Sequence, residues 1–319
     1  MMNTTVPSFS EPRSILFIGT NLRHAVTNRI QDEVARSLGL PWKLTAIDDP
    51  CLDEFDRLSK ESSFVGAVVT IPHKINIMSH VNGIDPVGTI LGACNCIYRG
   101  HRGQLTGTNT DWIGVRDALI HATRETAHCD QAAADGTRHN QEPRSGMVVG
   151  SGGAARAAVY ALSQELGCSR ILIINRDVDE VESLKRDVHV GYGRAGIEIP
   201  KLVHVQDASQ AARETTPVYG VGTVPSFEPV TPTEKAARYA LETILGNGKG
   251  VFLDMCYRPR ITQSLELARK FGWTTSEGAQ VVTWQLRAQW TLWASKVASE
   301  SIDLESMAER VNQIVVELS

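Results

Sequence analysis

Residues 146–162, Gly-Met-Val-Val-Gly-Ser-Gly-Gly-Ala-Ala-Arg-Ala-Ala-Val-Tyr-Ala-Leu, constrain this chain more than any other stretch. The apolar run 147–149 reads as a short strand, Gly150-Ser151-Gly152-Gly153 as a tight turn, and the alanine-rich continuation as a helix with no breaker. Strand, glycine turn and helix start together form an anion site. Glycines let the backbone approach a phosphate, and the free N–H groups and dipole of the helix start face it. The spacing Gly150-x-Gly152-x-x-Ala155 fits the dinucleotide fingerprint, with alanine in the last position. Alone this is a weak signal, because such a turn can be only a turn. A second strand at the expected distance strengthens it.

The 319 residues suffice for one large or two medium domains, and 42% hydrophobic with 21% charged residues describes an ordinary globular chain. The net charge of −4 supplies no basic field, which argues against nucleic acid or an anionic membrane as partner. Cysteines at 51, 94, 96, 129, 168 and 256 are scattered, without zinc spacing, so free thiols in a reducing, cytoplasmic setting are expected and no metal site is. The first 13 residues lack the apolar core of a signal peptide, and no apolar run reaches the length of a membrane span.

Read in order, the chain alternates strands and helices. Segments 14–18, 42–47 and 65–70 read as strands, the last halted by Pro72. Between them, Ile30, Val34 and Leu38 recur at helical spacing after Asn28-Arg-Ile-Gln31, which has the form of a capping box, and Leu52, Phe55 and Leu58 mark another helix face. This alternation predicts a parallel α/β sheet. Segments 94–98 and 104–108 pair as an antiparallel hairpin, and a helix begins near Asp111. From 123 to 144 periodicity is lost in what reads as an exposed insertion; His121, His128 and His139 in or beside it are read as solvated. Strands follow at 171–174, 201–205, 218–221 and 251–253, with helices at 234–245 and 264–270. After Trp273 comes a long helical stretch carrying Trp284, Trp290 and Trp293, read as packing, and then a final amphipathic helix.

Single motifs in the first half are weak. Lys74, just past the end of a strand in Val68-Val-Thr-Ile-Pro-His-Lys74, could be a solvated loop charge, and Asp111 in Thr106-Gly-Thr-Asn-Thr-Asp111 an N-cap. The ordered set is another matter. Pro72-x-Lys74, Gly92-Ala-Cys-Asn95, Asn109-Thr-Asp111, the glycine turn through Arg156, Asn175-Arg176, Asp254-Met-Cys-Tyr257-Arg-Pro259-x-x-Thr262 and Gln285 occur in sequence. Together they resemble the shikimate/quinate dehydrogenases over about residues 15–293.

The resemblance implies an α/β protein of two domains. Residues 1–122, completed by helices within 279–319, would bind substrate, and residues 123–278 would form a Rossmann-like NAD(P)-binding domain. It implies a dehydrogenase interconverting ring hydroxyl and ketone on a shikimate- or quinate-like cyclic hydroxy acid, with Lys74 and Asp111 as the proton-transfer pair. Thr27, Thr70, Asn95, Tyr257 and Gln285 would meet the substrate. Gly150, Gly152, Gly153, Ala154 and Arg156 would hold the cofactor phosphates, Asn175, Arg176 and Asp177 the ribose end, and Gly278 would lie near the nicotinamide. Cofactor choice stays open between NADP and NAD: Asn175-Arg176 matches an NADP-type pattern, whereas Asp177 would repel a 2′-phosphate. Where the family has Ser-x-Ser, this chain has Ala25-Val26-Thr27, and Gly222-Thr-Val-Pro225 and Gly278-Ala-Gln-Val281 also depart from the pattern. The competing class is a non-catalytic ligand sensor on the same fold. The oligomeric state is not legible.

Overall fold

The structure, a computed structural model, describes residues 10–20, 22, 26–100, 102–125 and 144–318. Ala25 and most of the 123–144 insertion, with His128 and His139, lie outside the described residues. The chain divides into two compact units, each with its own sheet.

The first unit takes the described residues up to Gly88, then Cys94–Thr110 and Gln285–Leu318. Its strands are β1 (Arg13–Gly19), β2 (Trp42–Asp48), β3 (Phe64–Val69), β4 (Gly83–Ile84), β5 (Cys96–Arg99) and β6 (Leu105–Thr108), in the order β2-β1-β3-β5-β6-β4. β1 runs parallel to β2 and β3, but β5 runs antiparallel to both β3 and β6. The sheet is therefore mixed: β1, β2 and β3 pair in parallel as the alternation of elements predicts, and the antiparallel pair expected at 94–98 and 104–108 is β5 with β6. A short hairpin joins β5 to β6, and so short a connection permits only antiparallel pairing. β3, Phe-Val-Gly-Ala-Val-Val, is buried at all six positions, as expected for a central strand covered on both faces.

Two expectations about helices are corrected here. Val26 is already helical in the helix at 26–37, so Asn28 lies inside it, and Gln31 does not reach back to Asn28 as in a capping box. Asn28 Oδ1 is buried without a partner among the described residues, while the Gln31 amide is drawn into contacts with Gln289 and Trp290. The long helical stretch after Trp273 is also broken. A strand at Thr274–Ser276 comes first, then helices Gly278–Trp284 and Leu286–Trp293 on either side of Gln285, then Lys296–Glu300 and Leu304–Leu318. Trp290 stacks on Trp42 with ring centroids 5.8 Å apart and meets Trp293 edge-on at 5.9 Å, which is packing.

The second unit comprises Thr89–Ala93 and Asp111–Trp284. Strands β7 (Arg144–Val149), β8 (Cys168–Ile174), β9 (Lys201–Val205), β10 (Tyr219–Gly222), β11 (Val251–Asp254) and β12 (Thr274–Ser276) all pair in parallel. Their order, β9-β8-β7-β10-β11-β12, is that of a doubly wound dinucleotide-binding sheet, and it reverses between β7 and β10. Ligands bind at the carboxyl ends of the strands at such a reversal, where β7 runs into the glycine turn. Val148, Ile171, Ile173, Val221 and Leu253 are fully buried beneath the helices. Helix Pro232–Gly246 starts on a complete capping box between Thr231 and Glu234, with proline in its first turn. Helix Val178–Ala195 is capped by Asp177 and stopped by Gly196 at φ 66°.

Candidate active site

In the first unit, the ends of β3 and β6 and the start of β5 carry the residues of interest. The turn after β3 contains Thr70, a cis Ile71–Pro72 peptide, His73 and Lys74. It lies against β1 so closely that Gly19 could not carry a methyl group without meeting Thr70 and the Ile71 carbonyl oxygen. The Lys74 carbonyl accepts the Cys94 N–H at 2.6 Å, tying the lysine turn to the segment that carries Asn95. His73 is buried, with its Nε2 2.6 Å from the Asp49 carbonyl oxygen. Asp49 in turn accepts the N–H groups of Cys51, Leu52, Glu54 and Phe55. Burial raises its carboxyl pKa, but the N–H donors outweigh that and hold it below the ordinary aspartate value.

Asn95 is 2% exposed and Gln285 7%. Asn95 Oδ1 accepts the Thr110 N–H at 2.7 Å, and its Nδ2 donates to Gln285 Oε1 at 2.9 Å. Thr110 Oγ1 also donates to Gln285 Oε1, at 2.7 Å. Gln285 interrupts two helices, and that break lets one side chain turn toward the end of the sheet. Thr27 is buried on the Gln31 face of its helix, one turn earlier. Asp111 follows Thr110 directly, opens helix Asp111–Glu125 of the second unit, and is buried.

In the second unit, the glycine turn has the geometry its sequence requires. Gly150 has φ 110°, a backbone conformation that favours glycine, and a methyl group there would strike Thr223 Oγ1 and Val224. Nothing lies within 4 Å of where a side chain on Gly152 would begin, so the turn is open on that side. Gly153 and Ala154 open the helix and present the N–H groups that no preceding turn can satisfy. An open cradle lined by such donors fits a dinucleotide pyrophosphate. Arg156 is 5% exposed, its Nη1 donates to the Ser151 carbonyl at 3.1 Å, and its Nη2 pairs with Asp187.

At the tip of β8, Asn175 donates to Ser151 Oγ and, at 3.1 Å, to Glu180 Oε2, which also accepts Ser151 Oγ–H at 2.9 Å. Asp177 is occupied as the cap of its helix, accepting the N–H groups of Asp179 and Glu180. Arg176 forms an ion pair with Glu234. At the tip of β11, the Asp254 carboxylate accepts Thr262 Oγ1–H at 2.6 Å and the Cys256 N–H at 3.0 Å, which orders the loop holding half-buried Tyr257. Burial pushes the Asp254 carboxyl above its ordinary value, against those two hydrogen bonds. Gly278 is buried where a Cβ would stand 2.6 Å from the Met255 and Cys256 carbonyl oxygens, so close approach requires glycine there.

Sequence reasoning passes over Gln31, His73, Glu180, Asp254 and Gln289 as contributors. Gln289 had a signal, since it lies four residues after Gln285 and hence on the same helical face. Glu180 had a misleading one: Asp177-x-x-Glu180 reads as a capping box, whereas its carboxylate turns to Ser151 and Asn175. Among the described residues no cluster suited to a metal ion is found.

Comparison with known proteins gives this geometry its context. The sequence model of the shikimate dehydrogenase substrate binding domain matches residues 17–97. Quinate dehydrogenase of Emericella nidulans is 32% identical over 336 aligned positions, covering 99% of this chain and 98% of that protein. Among solved structures, quinate dehydrogenase from Corynebacterium glutamicum in complex with NAD superposes with a TM-score of 0.71 at 19% identity, covering 95% of this chain and 100% of that one. Shikimate 5-dehydrogenase from Thermus thermophilus in complex with NADP(H) and shikimate gives a TM-score of 0.69 at 22% identity, covering 95% and 99%. The two structures bear on the fold alone; the full-length similarity to quinate dehydrogenase carries the assignment. The chain belongs to the shikimate/quinate dehydrogenase family of NAD(P)-dependent oxidoreductases.

Proposed function

We propose that this enzyme oxidises a ring hydroxyl of quinate, shikimate or a closely related cyclic hydroxy acid to the ketone, and catalyses the reverse reaction. The observation that carries the reading is the gathering of the Lys74 turn, Asn95, Thr110 and Gln285 at one end of the first sheet. In this reading the described residues of 1–122, with helices from 279–319, serve the substrate, and 123–278 the cofactor. Lys74 and Asp111 form the proton-transfer pair. The amine moves the proton of the reacting hydroxyl, and the carboxylate stabilises the charge on the amine and holds it in line. Thr27, Thr70, Asn95, Gln285 and Tyr257 orient the acid through its hydroxyls and carboxylate.

When bound, the nicotinamide supplies the hydride acceptor or donor. The N–H groups around Gly150, Gly152, Gly153 and Ala154 hold the pyrophosphate, and Arg156 stiffens their turn from behind. Asn175, Arg176 and Asp177 mark the ribose end, and Gly278 lets its helix start close to the loop after β11. The charge at the ribose end favours NAD. Arg176 is neutralised by Glu234, while Asp177, Asp179 and Glu180 put three carboxylates at the start of the next helix. A 2′-phosphate needs an uncompensated cation, whereas a ribose hydroxyl can donate to a carboxylate. Free thiols at Cys51, Cys94, Cys96, Cys168 and Cys256 fit a reducing, cytoplasmic setting. No helix among the described residues is long and apolar enough to cross a membrane.

The test is direct. Purified protein is mixed with quinate or shikimate and either NAD or NADP, and absorbance of the reduced nucleotide is followed. Turnover with at least one acid, faster with NAD, supports the reading; no reduction with any pair refutes it.

A further inference from the structure

A run of buried amides links the tryptophan cluster to Gln285, and its direction can be read unambiguously. The Trp290 indole N–H can only donate. It donates to Gln31 Oε1 at 2.7 Å, so that oxygen is the acceptor and Gln31 Nε2 the donor. Gln31 Nε2 donates to Gln289 Oε1 at 2.6 Å, which leaves Gln289 Nε2 to donate to Gln285 Oε1 at 3.2 Å and to Thr110 Oγ1 at 3.3 Å. Amide oxygen and nitrogen are otherwise hard to tell apart, and here a one-way donor at the far end settles each of them in turn.

A second one-way donor agrees. The Thr110 backbone N–H fixes Asn95 Oδ1 as acceptor, so Asn95 Nδ2 donates, and it too ends on Gln285 Oε1. With Thr110 Oγ1 added, three donors converge on that oxygen at 2.7–3.2 Å. Gln285 therefore cannot turn its amide over without bringing N–H groups against N–H groups in a buried site, where unpaired polar groups are costly. Its Nε2 donates to no described residue and is not a buried orphan.

We propose that Trp290, Gln31 and Gln289 are a positioning relay that presents Gln285 to the substrate as a hydrogen-bond donor, so that the substrate atom it meets is an acceptor oxygen, of a carboxylate or of a hydroxyl. This rests on the reading that Gln285 touches the substrate. Gln289 is the deciding member, because it lies between the lock at Trp290 and the amide that is held. All six side chains of the network belong to the first unit, so the relay needs nothing from the second.

The experiment compares Gln289→Glu with Gln289→Met in the full-length enzyme. Glutamate still accepts from Gln31 but sets an acceptor against Gln285 Oε1, which repels that oxygen and loosens the Gln285 amide against the hold of Asn95 and Thr110. Methionine removes the donor without reversing the polarity, and Asn95 and Thr110 still hold the amide. The expected result is a KM for the acid raised about 2- to 10-fold in Gln289→Glu, the worth of one hydrogen bond. The rise should be smaller in Gln289→Met, with kcat nearly unchanged and NADH affinity, followed by its fluorescence, unaltered in both. Gln285→Glu, an acceptor at the site itself, should raise KM as Gln289→Glu does. A purely structural role predicts instead that methionine, which loses every hydrogen bond, does at least as much harm as glutamate.

If Gln289→Glu does not fold, Trp290→Phe takes its place, with Trp293→Phe as control. Trp293 loses a comparable indole bond, to the Ile97 carbonyl at 2.9 Å, with no link to the amides. Both should lower the melting temperature, and only Trp290→Phe should raise KM. Equal KM in each compared pair, with a normal wild type, overturns the relay alone. An unchanged KM in Gln285→Ala also overturns it, and a wild type inert toward both acids overturns the function as well.

Discussion

The guanidinium of Arg156, buried, donates to the carbonyl oxygen of Ser151 at 3.1 Å. An arginine just after a glycine turn invites a reading as a phosphate ligand. Here its charge is met by Asp187, and in the reading proposed above it holds the turn's shape. Arg156→Met should cost about 1–3 kcal/mol of stability, the penalty for losing a buried charged hydrogen bond, and weaken NADH binding in parallel. Urea unfolding and fluorescence titration check both. Weaker binding at unchanged stability, with a shallower salt dependence, would make Arg156 a direct phosphate ligand.

Glu234 controls whether Arg176 is available. Its carboxylate accepts the Val230 and Thr231 N–H groups while pairing with Arg176, and glutamine can keep the first task without the second. Glu234→Gln should therefore release the cation and tighten NADPH binding by about tenfold, one charged hydrogen bond, with little change for NADH. Unchanged NADPH affinity would mean that Arg176 does not face the ribose.

At Gly150 the backbone and the neighbours forbid a side chain together. Gly150→Ala puts a methyl on a φ of 110° and against Thr223, at a cost of about 1–3 kcal/mol in strain. The turn should open, and NADH affinity should fall at least as steeply as stability. A variant that binds NADH normally would show that the cofactor does not depend on this turn.

Two buried aspartates should give stability opposite slopes with pH. Asp254 holds its proton more tightly in the folded protein, so its contribution is full below the ordinary aspartate value of about 4 and is lost as pH rises through its folded value. Asp49 is shifted the other way, so its contribution is present above about 4 and is lost as pH falls through its folded value. In urea unfolding at a series of pH values, Asp254→Asn should flatten the decline on the alkaline side. Asp49→Asn should flatten the decline on the acid side. The reverse pattern would contradict the assigned environments.

Strands β7 to β11 of the second unit are legible because each centres on a short run rich in apolar residues, as in β7 before Gly150, whereas β12, Thr-Thr-Ser, offers no such run. The antiparallel hairpin of the first sheet is legible from the polar turn after Arg99, whereas the antiparallel pairing of β5 with β3 is a long-range contact that no local pattern shows. The break at Gln285 is invisible as well, because Val-Thr-Trp-Gln-Leu-Arg contains no helix breaker and only tertiary hydrogen bonds draw Gln285 out of line. Motifs locate Lys74, Asn95 and Asp111 along the chain, but not what holds them. The Asn95–Gln285 bond spans 190 positions, and the inward turn of Arg156 depends on Asp187, 31 residues away. Helical spacing and local propensity carry no information at those separations.

The most direct test of the central claim follows the hydrogen itself. Quinate carrying deuterium on its secondary carbinol carbons is incubated with the enzyme and NAD, and the reduced nucleotide is analysed by mass spectrometry. The account expects one deuterium in each NADH formed by the wild type, and kcat lowered by about 100-fold or more in Lys74→Ala with NADH affinity unchanged, as for loss of a proton-transfer group. NADH without label, or full turnover in Lys74→Ala, would contradict it.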